Sequence, residues 1–420
     1  MLHKWPYWIS AFTVGLIAVL FSKAVTIAEN FAVSLYKSSP EYLFLVSPFF
    51  FLASWALVYF FAPEAKGNGI PQVMASVEIA EKDEEAQKLN QLLGIKIALI
   101  KICSSLLCLL GGGALGREGP TLQISASIFY SASKKFNFFK QYIKVETWII
   151  TGAAAGLAAA FNTPLGGLVY AIEELATQHL NKFKTSLITA VIIAGFSSQM
   201  IAGPYLYLGY PKLIPVGLDA LPLILLISFI CGLAGSLFGH ILFNMSQAKL
   251  KHSKSIKSLI LISLLCGLLT AFIAVFIDYH FMGSGKELLI ELLFTDKKIE
   301  WHITILRFFA PILTYFSGGA GGIFAPSLAA GGHIGHFIAD ILAASDTNLF
   351  TLLGMIAFLT GVTRAPFTAF ILVLEMTDRH SSIFPMMLSA VVANSIAKMI
   401  HNKSFYDLLK NTYLSKEELL

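Results

Sequence analysis

Charge is what this sequence has least of. Only 13% of its 420 residues are Asp, Glu, Lys or Arg, against roughly 25% in a soluble domain. That scarcity excludes a water-soluble globular chain. Cysteine is also scarce: Cys103, Cys108, Cys231 and Cys266 lie in apolar runs without C-x-x-C spacing. They imply no disulfide framework and read as core residues. The net charge is a modest +5, and no basic patch is interleaved with aromatics, which excludes a nucleic-acid function. Neither H-E-x-x-H nor G-x-S-x-G occurs. His333 and His336 sit at i, i+3 with no third ligand at metal spacing. No cofactor and no metal are expected. The N-terminus, MLHKWPYWISAFTVGLIAVL, has a basic start and an apolar run but lacks a small-residue cleavage pattern. It reads as a retained segment.

What is present is apolar sequence. Hydrophobic residues make up 56% of the chain, and mean hydropathy is +0.72. Uncharged runs cover residues 5–22, 42–63, 147–172, 185–211, 220–248, 258–277 and 308–339. A bilayer-spanning helix needs about 20 apolar residues. Solid runs, rather than weakly alternating segments, exclude a barrel. The chain is an all-α polytopic membrane protein. Its 34 Phe and 14 Tyr read as lipid-facing and packing surface.

Glycine and proline punctuate these runs. Gly67-Asn68-Gly69-Ile70-Pro71 is a turn opening a short helix, and residues 78–88 look like a solvated loop. Residues 111–127, GGGALGREGPTLQISAS, stop one apolar segment at three glycines. Pro120 then starts a new helix, since proline suits the first helical turn. Residues 152–160, GAAAGLAAA, suit closely approaching membrane helices. Asn162-Thr163-Pro164 breaks that run, and a helix continues to Glu173-Glu174. Residues 282–285 form a turn, and the glycine-rich stretch 317–326 follows. Basic loops at 134–144 and at Lys249, Lys251, Lys254 and Lys257 belong in the cytoplasm by the positive-inside rule. Only 14 residues follow Tyr406, too few for a further soluble domain.

The order of these features occurs twice. Gly116-Arg117-Glu118-Gly119-Pro120 aligns with Gly322-Ile323-Phe324-Ala325-Pro326 at an offset of 206 residues. The helix through Asn162-Thr163-Pro164 to Glu173 aligns with the one through Arg364-Ala365-Pro366 to Glu375 at an offset of 202. The repeats span roughly 30–205 and 218–400 of one membrane domain, with a final helix over about 402–414. The match is weak residue by residue, and chance similarity between two Gly/Pro-punctuated membrane segments is the alternative. Matched broken helices point to a transport site at the repeat interface.

A helix interrupted inside the membrane leaves backbone N–H groups unpaired at its partly positive N-terminus. Starts at Gly69-Ile70-Pro71, Gly119-Pro120 and Ala325-Pro326 would form an anion site without a full buried positive charge. Such a site holds an anion weakly enough to release it. Glu118 is costly in this setting and is therefore a functional candidate. Charged, it occupies the anion site; protonated, it leaves. A salt bridge to Arg117 is the competing role, disfavoured because adjacent residues do not face each other on a helix. Glu173 and Glu174 end an uncharged helix. One of them suits proton exchange between water and the interior, and headgroup solvation is as good a reading for Glu173. Glu375, at the repeat-related position, is a structural candidate. A polytopic enzyme using Glu118 or His333 lacks any nucleophile–base pairing.

These motifs resemble the four signature segments of the CLC chloride channels and proton-coupled anion exchangers. The carrying residues are Gly67 to Pro71, Gly116 to Pro120, Gly322 to Pro326 and Tyr406. The resemblance implies an inverted-repeat bundle of tilted and broken helices. It also implies a homodimer with one pathway per subunit for chloride or a related anion and protons. By the same resemblance Glu118 is the gating glutamate and Glu174 the inner proton glutamate that exchangers carry. Ile323 and Phe324 offer backbone N–H groups to the central anion, Tyr406 its hydroxyl, and Arg117 and Gly119 line the outer site. Asn68 stands where chloride-selective members usually have serine. The leading expectation is Cl⁻/H⁺ exchange in a bacterial inner (plasma) membrane, both termini cytoplasmic. A passive chloride channel, a fluoride/H⁺ antiporter and a nitrate-preferring exchanger are the alternatives.

Overall fold

Apolar runs become helices because a membrane offers backbone N–H and C=O groups no other partner. The computed structural model describes residues 5–82, 86–136, 143–175, 184–203, 205–214, 216–252, 255–295 and 300–415. Its first half carries α1 (Trp5–Ser38), α2 (Leu43–Phe61), α3 (Ile70–Glu81), α4 (Ala86–Leu93), α5 (Ile95–Leu110), α6 (Glu118–Lys135), α7 (Val145–Phe161), α8 (Pro164–Tyr170) and α9 (Lys184–Ala202). The second half carries α10 (Leu221–His252), α11 (Ile256–Phe276), α12 (Lys286–Phe294), α13 (Trp301–Ser317), α14 (Phe324–Ile341), α15 (Thr347–Thr363), α16 (Pro366–Thr377), α17 (Ile383–Ile400) and α18 (Phe405–Leu414). Segments Trp5–Ser38, Pro40–Phe61, Ala86–Leu110, Thr185–Ala202, Leu218–Lys251, Ile256–Phe276 and His380–Ile400 are long and apolar enough to cross a bilayer.

Two runs break where glycine, asparagine and proline were expected to break them, and the boundaries named after them differ from the expectation. Run 308–339 divides into α13 and α14, because Gly318 takes a left-handed φ of 94° at the end of α13. Run 147–172 divides at Asn162, φ 57°, and Pro164 restarts it as α8. Residues 78–81 belong to α3 and 86–88 to α4, which corrects the expected loop there, and residues 83–85 fall outside the described residues. α6 and α14 begin at Glu118 and Phe324, two residues before their prolines. A proline there is tolerated because the first helical N–H groups lack an intrahelical acceptor anyway. Lys249 and Lys251 lie inside α10 and Lys257 inside α11. Lys254 and residues 137–142 of the first basic loop fall outside the described residues. α18 starts at Phe405, because Ser404 Oγ accepts from the Asp407 N–H (3.0 Å) and Asp407 returns the bond to Ser404 N–H (3.2 Å). Cys103 faces outward rather than into a core.

The two halves repeat each other contact by contact. A side chain at Gly152 would come within 2.7 Å of Ser125 O and 2.8 Å of Phe129 Cβ, fixing α7 on α6. A side chain at Gly354 would come within 2.3 Å of Gly331 O and 2.9 Å of Gly335 Cα, fixing α15 on α14. These pairs keep the offsets of 202 and 206 read from the sequence. α7 and α15 have only 17 residues each and are buried almost throughout. Protein, not lipid, surrounds them.

The relation between the halves is a two-fold. Glu173, beyond the end of α8, accepts from the N–H groups of Phe367 (3.1 Å) and Thr368 (2.7 Å) at the start of α16. Glu375, near the end of α16, accepts from Leu165 (3.0 Å) and Gly166 (2.6 Å) at the start of α8. Each helix therefore begins where its equivalent ends, so the pair is antiparallel. Gly116 and Gly322, also equivalents, exchange both backbone hydrogen bonds at 2.7 and 2.9 Å. Equivalent helices running in opposite senses across the membrane make the repeats inverted.

Close approach at Gly354 gives a direct test. Gly354→Val forces its side chain into the α14 backbone, and monodisperse protein should be lost on gel filtration in detergent. Gly195→Ala, whose nearest contact would be Pro164 Cγ at 3.5 Å, should leave the elution profile unchanged.

Candidate functional site

Three helix N-termini meet at the exchanged glycine pair. The first intrahelical donors are Val73 in α3, Thr121 in α6 and Ser327 in α14. The N–H groups ahead of them, at Ile70, Glu118, Gly119, Phe324 and Ala325, have no intrahelical acceptor. Backbone bonds hold the breaks together: Gly67 N–H to Gly319 O (3.0 Å), Gly321 N–H to Gly67 O (2.9 Å), and the Gly116–Gly322 exchange. Contact is so close that a Cβ on Gly119 would sit 1.5 Å from Asn68 Oδ1. Tyr406, the second residue of α18, arrives from the far end of the chain. Its hydroxyl accepts from Asn68 Nδ2 at 2.8 Å, leaving the phenolic proton free to donate. Asn68 and Glu118 are each 1% exposed and Tyr406 0%. The structure gathers Asn68, Arg117, Glu118, Gly119, Ile323, Phe324 and Tyr406 into this one buried region.

Glu118 is the acidic member of this region. Its Oε1 accepts from the Tyr207 hydroxyl at 3.3 Å and lies 4.0 Å from Arg117 Nε. Its Oε2 has no hydrogen-bond partner. The expectation that Arg117 could not face Glu118 is corrected: Arg117 caps α6 from outside the helix, so helical geometry does not separate them. Arg117 also donates to Ser22 Oγ and to Ala160 O (3.3 Å).

Glu174 lies near Tyr406 and Tyr170. Residues Ala171–Leu175 form a π-helical turn, a feature often found at functional sites. Glu173 is bound to the start of α16, which corrects the headgroup reading for it. Glu174 is half-buried and faces Asp407 and Lys410 of α18. Tyr170 stands among Glu174, Tyr406 and Asp407 with its own hydroxyl buried and unpartnered.

Comparison with known proteins agrees with this geometry. The model of the family described as Voltage gated chloride channel matches residues 49–398. The H(+)/Cl(-) exchange transporter ClcA of Citrobacter koseri is 32% identical over 96% of this chain and 87% of its own length. The protein of the same name from Salmonella paratyphi B is 30% identical over the same shares. The chain belongs to this family. Among solved structures, a slow cyanobacterial Cl-/H+ antiporter superposes with TM-score 0.83 and 25% identity, covering 98% of this chain and 99% of that one. A CLC-type fluoride/proton antiporter shares the fold with TM-score 0.79 and 22% identity, each chain 97% covered.

Two residues near the family's signature segments were not anticipated. Lys101, in the middle of α5, is fully buried and donates to Gly67 O (2.8 Å) and Lys66 O (3.4 Å). A buried amine therefore stands behind the first glycine break. A lysine alone inside apolar residues 97–110 was the available signal. Tyr207 lies in the connection after α9, not in a span as run 185–211 suggested. An aromatic in an apolar run carries no sign of its partner.

The connection after α11 is tied down over residues 278–285. Arg307 donates to Met282 O (2.6 Å) and Gly283 O (2.9 Å), and Ser284 N–H donates to Glu29 (2.7 Å). Asp278 accepts from His280 N–H (2.8 Å), and its oxygens meet the His280 and His302 rings at 2.6 and 3.3 Å. Partial burial pushes the Asp278 carboxyl up, but the bonds and charge of His280 and the His302 bond outweigh it and hold it below the usual value. A depressed carboxylate stabilises the fold above its unfolded pKa, about 3.9 for Asp. That contribution disappears as pH falls through the lower folded value. Asp278→Asn should remove this acid-side loss, read as a flatter melting temperature against pH below about 4.

The crossed carboxylate caps predict a matched pair of effects. Glu173→Gln and Glu375→Gln should each cost about 1–2 kcal/mol, through weakened charge-assisted bonds to a helix start. Thermal melts in detergent check this. A loss of proton flux at unchanged melting temperature would instead give Glu173 a transport role.

Proposed function

We propose that the chain is a proton-coupled anion exchanger of the inner membrane, with chloride as its leading anion. The observation that carries this is Glu118 at the start of α6, facing the start of α14 across the glycine pair. Donors aimed from opposite directions favour an anion between them without a covalent or metal ligand. Ile323 and Phe324 supply backbone donors, Tyr406 its free phenolic proton, and Asn68 its remaining amide proton. Arg117 and Gly119 line the outer part. A charged Glu118 competes with the anion for these donors. Protonated, it loses its attraction to them and withdraws, so proton uptake and anion entry are linked. Glu174, near Tyr406, exchanges protons with the inner side. No covalent bond is made or broken, and the protein acts as a transporter rather than an enzyme.

Chloride and proton exchange is what the named ClcA relatives perform. The presence of both Glu118 and Glu174 supports exchange over passive conduction. The reading has both termini in the cytoplasm; for the C-terminal side it is supported by α18 lying beside the basic end of α10 through Gln247 and Thr412 (3.3 Å). The domain is one membrane unit of two repeats, roughly 30–205 and 218–400, plus α18. A homodimer is supported by exposed Leu165, Ile192, Phe196, Phe367 and Phe384 on the neighbouring helices α8, α9, α16 and α17.

In liposomes an outward chloride gradient should drive protons uphill. Glu118→Gln should abolish proton movement while anions still pass, and Glu174→Gln should do the same. Anion flux in the wild type without proton movement would defeat the exchanger reading. Asn68 gives fluoride as a second reading, because it stands where chloride-selective members usually have serine. A series of F⁻, Cl⁻ and NO₃⁻ on wild type and Asn68→Ser decides between them. Strong chloride flux with indifference to fluoride removes it.

A further inference from the structure

The Tyr207 hydroxyl is the only side-chain hydrogen-bond donor to Glu118 among the described residues. The ring that carries it is 4% exposed and pinned on all sides. It packs edge-on against Phe161 at 5.0 Å between centroids, and Phe161 in turn contacts Phe324 at 5.6 Å. The segment around it is anchored by Asn162 Nδ2 donating to Tyr205 O and by Leu208 N–H donating to Met376 O at 3.1 Å. Two cations lie against the ring: Lys286 Nζ at 4.3 Å from the centroid and Arg117 at 5.6 Å. Cations on a phenol ring draw charge from it, which strengthens its hydroxyl as a donor.

We propose that Tyr207 is a positioning residue for Glu118, a latch whose hydroxyl holds the carboxylate in the anion pathway. The proposal rests on the reading of Glu118 as the gate. The hydroxyl acts only while Glu118 is charged and in place. A donor favours the carboxylate over the neutral acid, since the acid offers a weaker acceptor. Withdrawal of Glu118 must break this bond, so the latch slows opening and sets the pH at which opening begins. Lys286, at the first position of α12 on the tied-down connection, keeps the ring over its target.

The test uses the full chain in liposomes and compares wild type, Tyr207→Phe, Glu118→Gln and the double variant. Phenylalanine keeps the ring, its aromatic contact and its two cations, and removes only the hydroxyl. Anion turnover at fixed pH should rise about three- to tenfold, the factor one hydrogen bond to a buried carboxylate supports. The pH profile of turnover should move upward by about half a unit to one unit, with protons still coupled to anions. In the Glu118→Gln background the same substitution should change nothing. Turnover and pH profile equal to or below wild type in Tyr207→Phe would overturn the latch. An equal acceleration in the Glu118→Gln background would overturn it too, since Tyr207 would then act independently. Proton coupling that survives in Glu118→Gln alone would instead defeat the gate reading.

Discussion

The structure depends on one constraint, the paired exchange of backbone bonds between Gly116 and Gly322. Two equivalent residues that bond reciprocally must lie on the two-fold relating the repeats. Helices α6 and α14 then begin within reach of each other and run apart. Their N-terminal dipoles are aimed at one place from opposite sides of the membrane. Two converging helix starts cost free energy unless something negative sits between them. The fold thus creates the demand for an anion before any side chain is considered.

Symmetry at that point is exact in backbone and broken in chemistry. The equivalent of Glu118 is Phe324, so one half supplies a titratable side chain and the other an apolar wall. The break is repeated further along the chain, at Glu174. Glu173 and Glu375 serve each other's repeat as crossed caps. Glu174 has no acidic counterpart, because Met376 occupies the matching position. Adjacent residues do not share a helix face, so Glu173 and Glu174 meet different helices. Every residue proposed to move a proton is therefore one at which the repeat is violated.

Basic side chains are handled differently on the two sides of the site. Lys101 is spent on the carbonyls of the first glycine break, where it compensates backbone oxygens facing the interior. Arg117 and Lys286 converge on Tyr207 instead, and bear on Glu118 partly through its ring. Lys249, expected in an open basic loop, donates to Phe316 O and Ser317 O at the end of α13. That placement satisfies carbonyls that a helix stopping inside protein would leave unpaired.

The sequence by itself determined that this is a helical membrane protein, where its helices break, and that the breaks occur twice. Those properties are local: hydrophobic run length, Gly and Pro positions, and a spacing of about 200 residues can be read along the chain. Asn68, Glu118 and Phe324 were legible for the same reason, since each sits in a punctuated motif, whereas Tyr406 came from the family resemblance alone. Only the tertiary structure decided which atoms meet. The Asn68–Tyr406 bond spans 338 residues, and Tyr207 reaches Glu118 from 89 residues away. That Glu173, and not Glu174, caps the start of α16 is likewise decided by how α8 and α16 pack. Long-range pairings of this kind leave no periodic trace, because the geometry that selects them comes from the packed halves and not from neighbouring residues.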